Sequence, residues 1–105
     1  MDEIFRVLNI PKVKVNKYDW GEEYVFDNVK LTEEQFKQIE DILDTYGYST
    51  NGAVNPVSQY NVSGYYQYLV YDTWEIENKE VTLEYWKVED RNGTSYFLHS
   101  ITIKE

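Results

Sequence analysis

Very few side chains in this sequence are of the types that carry out enzymatic chemistry. The chain has one histidine, His99, and no cysteine, so a cysteine nucleophile and a thiolate zinc site are excluded. A single histidine makes no metal-binding cluster, and a general base needs a second titratable group beside it. We therefore expect His99 to be a packed or hydrogen-bonded structural residue, with a general base as the alternative.

Two glutamates on neighbouring predicted strands, Glu75 and Glu84, are placed to approach each other diagonally. Paired carboxylates cleave glycosidic bonds when they lie about 5 to 9.5 Å apart. Among 19 acidic residues, however, one such pair arises readily by chance. The sequence has neither a Gly-rich phosphate loop nor a Gly-x-Ser-x-Gly turn. We expect no enzymatic activity, no cofactor and no metal ion.

The most unusual feature is a charge-free segment that runs from Thr45 to Tyr71, in a chain of which 28% is charged. Its first half, from Ser49 to Gln59, is predicted to be a long loop of Ser, Asn, Gly and Gln, and loops of that length are usually functional or disordered. Tyr, Ser, Gly and Asn are also typical of binding surfaces, because tyrosine offers a large contact area with little side-chain entropy to lose. The alternative is that the tyrosines line strands and pack under the loop. The tyrosines that we expect to bind a partner are Tyr48, Tyr60, Tyr65, Tyr66 and Tyr68.

A second candidate binding feature is an acidic helix row, in which a single lysine, Lys37, is outnumbered by carboxylates. At about 1.5 Å per residue the row extends over roughly 16 Å of helix, which loosely resembles a line of phosphates. The alternative is an ordinary solvated face, in which the first-turn acids only complement the helix dipole. The row consists of Glu33, Glu34, Glu40, Asp41 and Asp44.

The overall charge favours a basic partner. The formal charge is −9, from 19 acidic and 10 basic residues, so direct binding to nucleic acid through phosphate contacts is disfavoured. The same charge accelerates encounter with a basic protein surface. The alternative is that the charge only confers solubility. The chain has no apolar leader before Pro11 and no run of membrane-spanning length, so we expect a cytoplasmic protein that does not bind membranes.

One helix is specified by local signals, and we predict it from Glu33 to Tyr46. Thr32 and Gln35 form a capping box, and Leu31 and Phe36 have the spacing of a hydrophobic staple. Apolar residues recur at helical spacing, and Gly47 is predicted to end the helix in a left-handed conformation. The apolar stripe comprises Phe36, Ile39, Ile42, Leu43 and Tyr46.

The last third of the chain predicts a three-stranded antiparallel meander, with turns at Asn78-Lys79 and Asn92-Gly93. The first turn sets Trp74 opposite Leu83. The second leaves the apolar pattern out of register by one residue, which an extra residue at Tyr85-Trp86 would repair, so we predict a β-bulge there. The repaired pairs are Leu83 with Ile101 and Val81 with Ile103.

These elements predict a single α+β domain spanning residues 1–105, with the helix on an antiparallel sheet of about five strands. Two of the strands lie around Val13 and Val15 and around Tyr24 and Phe26, joined near Trp20-Gly21, whereas residues 2–9 fit a helix or a strand. The face under the helix is predicted to carry Trp74, Ile76, Val81, Leu83, Ile101 and Ile103. The solvated face is predicted to carry Thr73, Glu75, Thr82, Glu84, Ser100 and Thr102.

In size, charge and tyrosine content the chain resembles the small acidic inhibitors that phages and mobile elements encode against host nucleic-acid enzymes such as CRISPR nucleases. The resemblance implies an anti-CRISPR-like or nucleic-acid-mimicking inhibitor that docks on a basic surface. The first alternative is an immunity protein that neutralises a toxin. The second is an aromatic platform for a sugar or other small ligand, built from Trp20, Trp74, Trp86 and the tyrosines.

Overall fold

The helix forms where the local signals predict it. The computed structural model describes residues 6, 14–49, 59–62 and 65–105, and helix α1 spans Glu33–Tyr46. The Thr32 hydroxyl accepts a hydrogen bond from the backbone N–H of Gln35 at 3.1 Å, and the Gln35 side chain accepts one from Thr32 N–H at 2.9 Å. Leu31 and Phe36 are both buried in the core, as the staple spacing predicts.

The end of the helix differs from the prediction. Gly47 has an extended backbone, with a φ of −161°, and its N–H donates to the Leu43 carbonyl at 2.9 Å. Glycine is needed here because the Gly47 backbone lies close to the backbone of Glu75: a Cβ at position 47 would be 2.2 Å from the Glu75 carbonyl oxygen. The prediction of a left-handed residue was therefore wrong, and the sheet beside the helix sets the choice of glycine.

The described residues contain seven strands in one antiparallel sheet, two more than predicted. The order across the sheet is β1, β2, β7, β6, β5 and β3, and β4 pairs with the other half of β5. The two strands that were not predicted, β3 and β4, take up the ends of the predicted loop, whose remaining residues lie outside the described ones. The strands are β1 Lys14–Tyr18, β2 Gly21–Leu31, β3 Tyr48–Ser49, β4 Gln59–Val62, β5 Tyr65–Ile76, β6 Lys79–Asp90 and β7 Gly93–Lys104.

The first meander turn comes one residue earlier than predicted. Glu77 and Asn78 form it, both with positive φ, which is the backbone of the turns that match strand twist. Trp74 consequently lies opposite Val81 rather than Leu83. A shift of two in register leaves every side chain on its predicted face, because side chains alternate with a period of two.

The second turn is also earlier, at Arg91 and Asn92, because the Asp90 carboxylate accepts the Asn92 backbone N–H at 2.8 Å and starts the turn there. The predicted irregularity exists, but on the opposite strand. Leu98 pairs with Tyr85 and Ser100 with Glu84, so His99 is the extra residue. The predicted pairs of Leu83 with Ile101 and of Val81 with Ile103 are confirmed.

The helix packs on one face of the sheet, the helix-covered face, and closes a single core there. All six residues predicted for that face belong to the core or pack against it. Tyr46 is an exception in the helix stripe, because its side chain is 53% exposed. The buried core consists of Phe26, Leu31, Phe36, Ile39, Leu43, Val70, Trp74, Val81, Leu83, Tyr85, Tyr96, Leu98 and Ile101.

The other side of the sheet, the open face, carries the six residues predicted to be solvated. Glu75 is exposed and the threonines are half-buried, and Thr73 and Thr82 form a cross-strand hydroxyl hydrogen bond at 3.0 Å. Ser100 is only 1% exposed, so it was wrongly assigned to solvent. Its hydroxyl donates to Glu84 at 3.1 Å, which satisfies the buried group.

The predicted strands of the first third are confirmed as β1, from Lys14 onward, and β2, while Val13 lies outside the described residues. The two strands pair antiparallel through a turn at Asp19-Trp20, one residue earlier than predicted. β1 is an edge strand, since within the described part of the chain it pairs only with β2. Between Val25 and Val29 the pairing of β2 with β7 shifts, opposite the extra residue His99. The question of helix or strand for residues 2–9 lies outside the described residues, apart from Arg6.

Candidate partner-binding surface

Four of the five carboxylates of the acidic helix row are exposed, and one of these four also bonds the helix to the sheet. The exposed ones are Glu33, Glu34, Asp41 and Asp44. Asp44 accepts a hydrogen bond at 2.8 Å from the indole N–H of Trp74, which is 3% exposed. Asp44 therefore satisfies a buried donor as well as contributing charge.

Glu40 is half-buried, close enough to Asp72, Asp44 and Asp41 to be repelled by their charges. Burial raises the pKa of Glu40 above its ordinary value, and repulsion from Asp72 and then from Asp44 adds to the rise. Asp72 in turn accepts the Tyr85 hydroxyl at 2.6 Å, and burial together with this bond raises the pKa of Tyr85. The row thus continues onto the sheet through Asp72, an acid that the sequence analysis did not select.

Two strongly exposed tyrosines lie on either side of Gly47, at the end of the acidic helix. Tyr46 is 53% exposed and Tyr48 is 63% exposed. Tyr48 pairs with Glu75 in the sheet, and its hydroxyl donates to the Glu75 carboxylate at 3.0 Å. This bond raises the pKa of Tyr48 and fixes its ring in an outward position at the β3 edge. Tyr48 was predicted as a binding residue, whereas Tyr46 was assigned to the core.

The other predicted tyrosines lie further along the same edge. Tyr66 is exposed and its ring stacks on half-buried Tyr68, with centroids 6.4 Å apart and planes within 4°. For Tyr60 and Tyr65 the structure gives backbone positions only, paired with Gln67 and Val62. Tyr48, which pairs with Glu75, projects from the open face, whereas Tyr66 and Tyr68 lie on the same face of β5 as Trp74, the partner of Asp44.

A groove opens between the last turn of α1 and the end of the meander. Its volume is about 340 Å³. Glu77 and Lys79 stand among its lining residues, and Lys79 is paired with Glu105 at 3.3 Å between Nζ and Oε1. We call it the terminal groove; its apolar lining consists of Ile42, Leu43, Tyr46, Ile76, Val81 and Ile103. No sequence pattern indicates this groove, because all six apolar residues look like ordinary core positions.

The proposed aromatic platform is not assembled from the tryptophans that the sequence suggested. Trp74 is buried under the helix, whereas Trp86 lies on the open face beside Phe97 and Val88, around a shallow pocket of about 250 Å³. Trp20 is exposed and stacks on Tyr18 at the opposite edge of the sheet, with centroids 4.7 Å apart. These surfaces are separate, so no continuous platform joins them.

The residues of the catalytic alternatives are not arranged for catalysis. Glu75 pairs with Glu80 and Glu84 with Tyr71, so the two glutamates hang from positions four residues apart, roughly 13 Å along the strands. Each carboxylate accepts a tyrosine hydroxyl at 3.0 Å. His99 lies at the β7 bulge, and in residues 6, 14–49, 59–62 and 65–105 no three His, Asp or Glu side chains are placed to hold a metal ion.

None of the known protein families, curated proteins or solved structures compared with this chain matches it. Within the described residues, no helix is both long and apolar enough to cross a bilayer. The roles of the surface residues therefore rest on their own geometry and charge.

Proposed function

We propose that this chain is a cytoplasmic, protein-binding inhibitor that docks on the basic surface of a nucleic-acid enzyme, as phage and mobile-element inhibitors do. The single observation that carries the proposal is the exposure of Tyr48, the most exposed large aromatic side chain described, on the open face and only two residues beyond the helix that bears the acidic row. In this proposal the carboxylates guide the approach, and the tyrosine is buried on contact.

The charges support the first role. Asp41, Glu33 and Glu34 are exposed, and long-range attraction between such carboxylates and a basic surface raises the rate of encounter. Asp44 contributes charge from a position that its bond to Trp74 fixes. Because the approach depends on screened charges, association should slow steeply as salt is raised.

The tyrosine supports the second role. Binding energy concentrates in a few aromatic or Arg side chains that are buried on contact, and a side chain held in one conformation loses little entropy. The bond from the Tyr48 hydroxyl to Glu75 holds the ring in that way before any partner arrives. Tyr66 and Tyr68, stacked on the helix-covered face of β5, would offer aromatic surface on the same side of the sheet as the acidic helix row.

The proposal is tested by affinity capture from host lysate at low and moderate salt, followed by kinetics with the retained partner. Asp41→Lys should slow association about threefold or more at low salt, while Tyr48→Ala should speed dissociation more than about tenfold. The matched controls are Asp19→Lys and Tyr18→Ala, which make the same changes at the opposite edge of the sheet. Equal effects at both edges, or no effect at either, would contradict the proposal.

An immunity protein would use the same surface against a basic toxin, so kinetics alone does not separate the two. Gene neighbourhood does: a toxin gene beside this one favours immunity, and phage genes favour an inhibitor of host defence. Identification of the captured partner as a toxin or as a host nucleic-acid enzyme decides the same question directly.

A further inference from the structure

We propose that the terminal groove receives one aromatic side chain of the partner, carried on a segment with Lys or Arg on both sides of it. The inference rests on the proposed function and deepens it, because it specifies the chemistry of the partner segment. Three features carry the inference: the shape and lining of the groove, the charges at its rim, and its position beside exposed Tyr46.

The groove is an opening in the core rather than a surface depression between polar groups. Leu43 and Val81 form its buried floor, while Ile42, Ile76 and Ile103 are only half-buried and form its walls. At about 340 Å³ it lies at the small end of ligand sites, which span about 300 to 1,000 Å³. An apolar side chain that entered would remove the remaining isoleucine surface from water.

The rim favours a cation. Lys79 is already paired with Glu105, and Glu77 adds a second carboxylate at the mouth. The last turn of α1, which the structure describes in full, carries no basic residue to balance the negative end of the helix dipole. A partner residue of positive charge on either side of the inserted group would therefore meet net negative potential.

Tyr46 explains why the inserted group should be aromatic. Its ring lies at the mouth of the groove and is more than half exposed. An aromatic partner side chain could pack against that ring in a stacked or edge-to-face arrangement, which adds about 0.5 to 1.5 kcal/mol beyond area burial. An aliphatic side chain would gain only the burial.

The test uses isoleucine methyl NMR, because the groove walls supply three reporters and the core supplies two internal controls. The probe is the peptide acetyl-Lys-Phe-Arg-amide, compared with acetyl-Gln-Phe-Gln-amide and acetyl-Lys-Ala-Arg-amide. The methyl signals of Ile42, Ile76 and Ile103 should shift saturably with the first peptide, while those of buried Ile39 and Ile101 should not move. The neutral peptide should bind about threefold to tenfold more weakly, as one or two screened ion pairs allow.

Two variants make the outcome decisive. Ile42→Phe fills the groove and should abolish the shifts, with the Ile39 and Ile101 signals reporting that the fold is intact. Glu77→Lys leaves the apolar lining in place and should remove the preference for the basic peptide. Equal binding of basic and neutral peptides, equal binding of the alanine peptide, or no shift at the groove would each overturn the inference.

Failure of the groove and failure of the proposed function remain distinguishable. If the groove does not bind the peptide but Tyr48→Ala and Asp41→Lys still weaken partner binding, only the inference about the groove is wrong. If the groove binds the peptide while those two variants leave partner binding unchanged, the proposed docking surface is wrong instead.

Discussion

The two ends of helix α1 pack on the same sheet in opposite ways. At the first end Phe36 stacks on Tyr96, with centroids 4.1 Å apart, and meets Tyr85 at 4.6 Å, so aromatic rings seal the core. At the last end the rings of Tyr46 and Tyr48 point outward, and aliphatic side chains line the open terminal groove. The comparison shows that tyrosine content alone does not predict a binding surface, because tyrosines are buried in the core at one end of the helix and exposed to solvent at the other.

Phe36→Ala should give the largest effect, because it removes the ring that seals the first end. A buried phenylalanine replaced by alanine costs about 3 to 5 kcal/mol, from lost burial and from the cavity that remains. Urea unfolding measures the loss. The control is Tyr46→Ala at the open end, which should cost less than about 1 kcal/mol. Similar losses at both ends would show that the two ends are not packed differently.

Gly47→Ala should give an intermediate effect confined to the open end. The new Cβ would lie 2.2 Å from the Glu75 carbonyl oxygen, so helix and sheet would have to separate. Overpacking of this kind costs about 1 to 3 kcal/mol. Ser49→Ala, an exposed change on the neighbouring strand β3, is the control and should stay within about 0.5 kcal/mol. A neutral Gly47→Ala would show that the close approach is absent.

Glu40 lies between the two ends, and Glu40→Gln should give the smallest effect on stability. That effect depends on pH, because the Glu40 carboxyl titrates. Burial raises the pKa of Glu40 in the folded protein, so the folded state binds this proton more tightly than the unfolded state. The contribution of Glu40 to the free energy of unfolding is therefore fully present below its ordinary pKa, and it is lost as pH rises through the pKa of the folded state.

Glutamine at position 40 does not titrate, so the variant should gain stability relative to the parent chain as pH rises from about 4 to about 7. Urea unfolding at several pH values measures the difference between the two proteins. Glu34→Gln, which removes one carboxylate from an exposed position of the same helix, is the matched control. If the stability of Glu40→Gln relative to the parent chain fell as pH rose, the prediction would be wrong.

The helix could be predicted to the residue because its signals are local. The Thr32 and Gln35 side chains bond to backbone groups within three residues of themselves, so no tertiary contact was needed to place the start. The faces of the sheet were also predictable from alternation alone. The register of β5 with β6 was not, because Asn78 takes the second position of its turn. The bulge between β6 and β7 was assigned to the wrong strand, because Asp90 accepts the Asn92 N–H and starts that turn one residue early.

The candidate surface could be predicted only in part, for a physical reason. The acids of the helix are visible in the sequence, but the rotation of α1 over β5 decides that Asp44 meets Trp74 while Asp41 stays in solvent. Tyr48 was identified from composition, whereas Tyr46 fitted the apolar helix period and was assigned to the core. The terminal groove depends on where the helix stops relative to the meander, which no local pattern records.

The edge strand β1 has a consequence for behaviour at high concentration. Its exposed side chains include Lys14 and Lys17, in a protein whose net charge is −9. Two copies that joined edge to edge through β1 would bring lysines of both copies close together, and such repulsion discourages the strand addition that leads to fibrils. Concentrated salt screens this repulsion, so storage at low ionic strength should better preserve the dispersed protein.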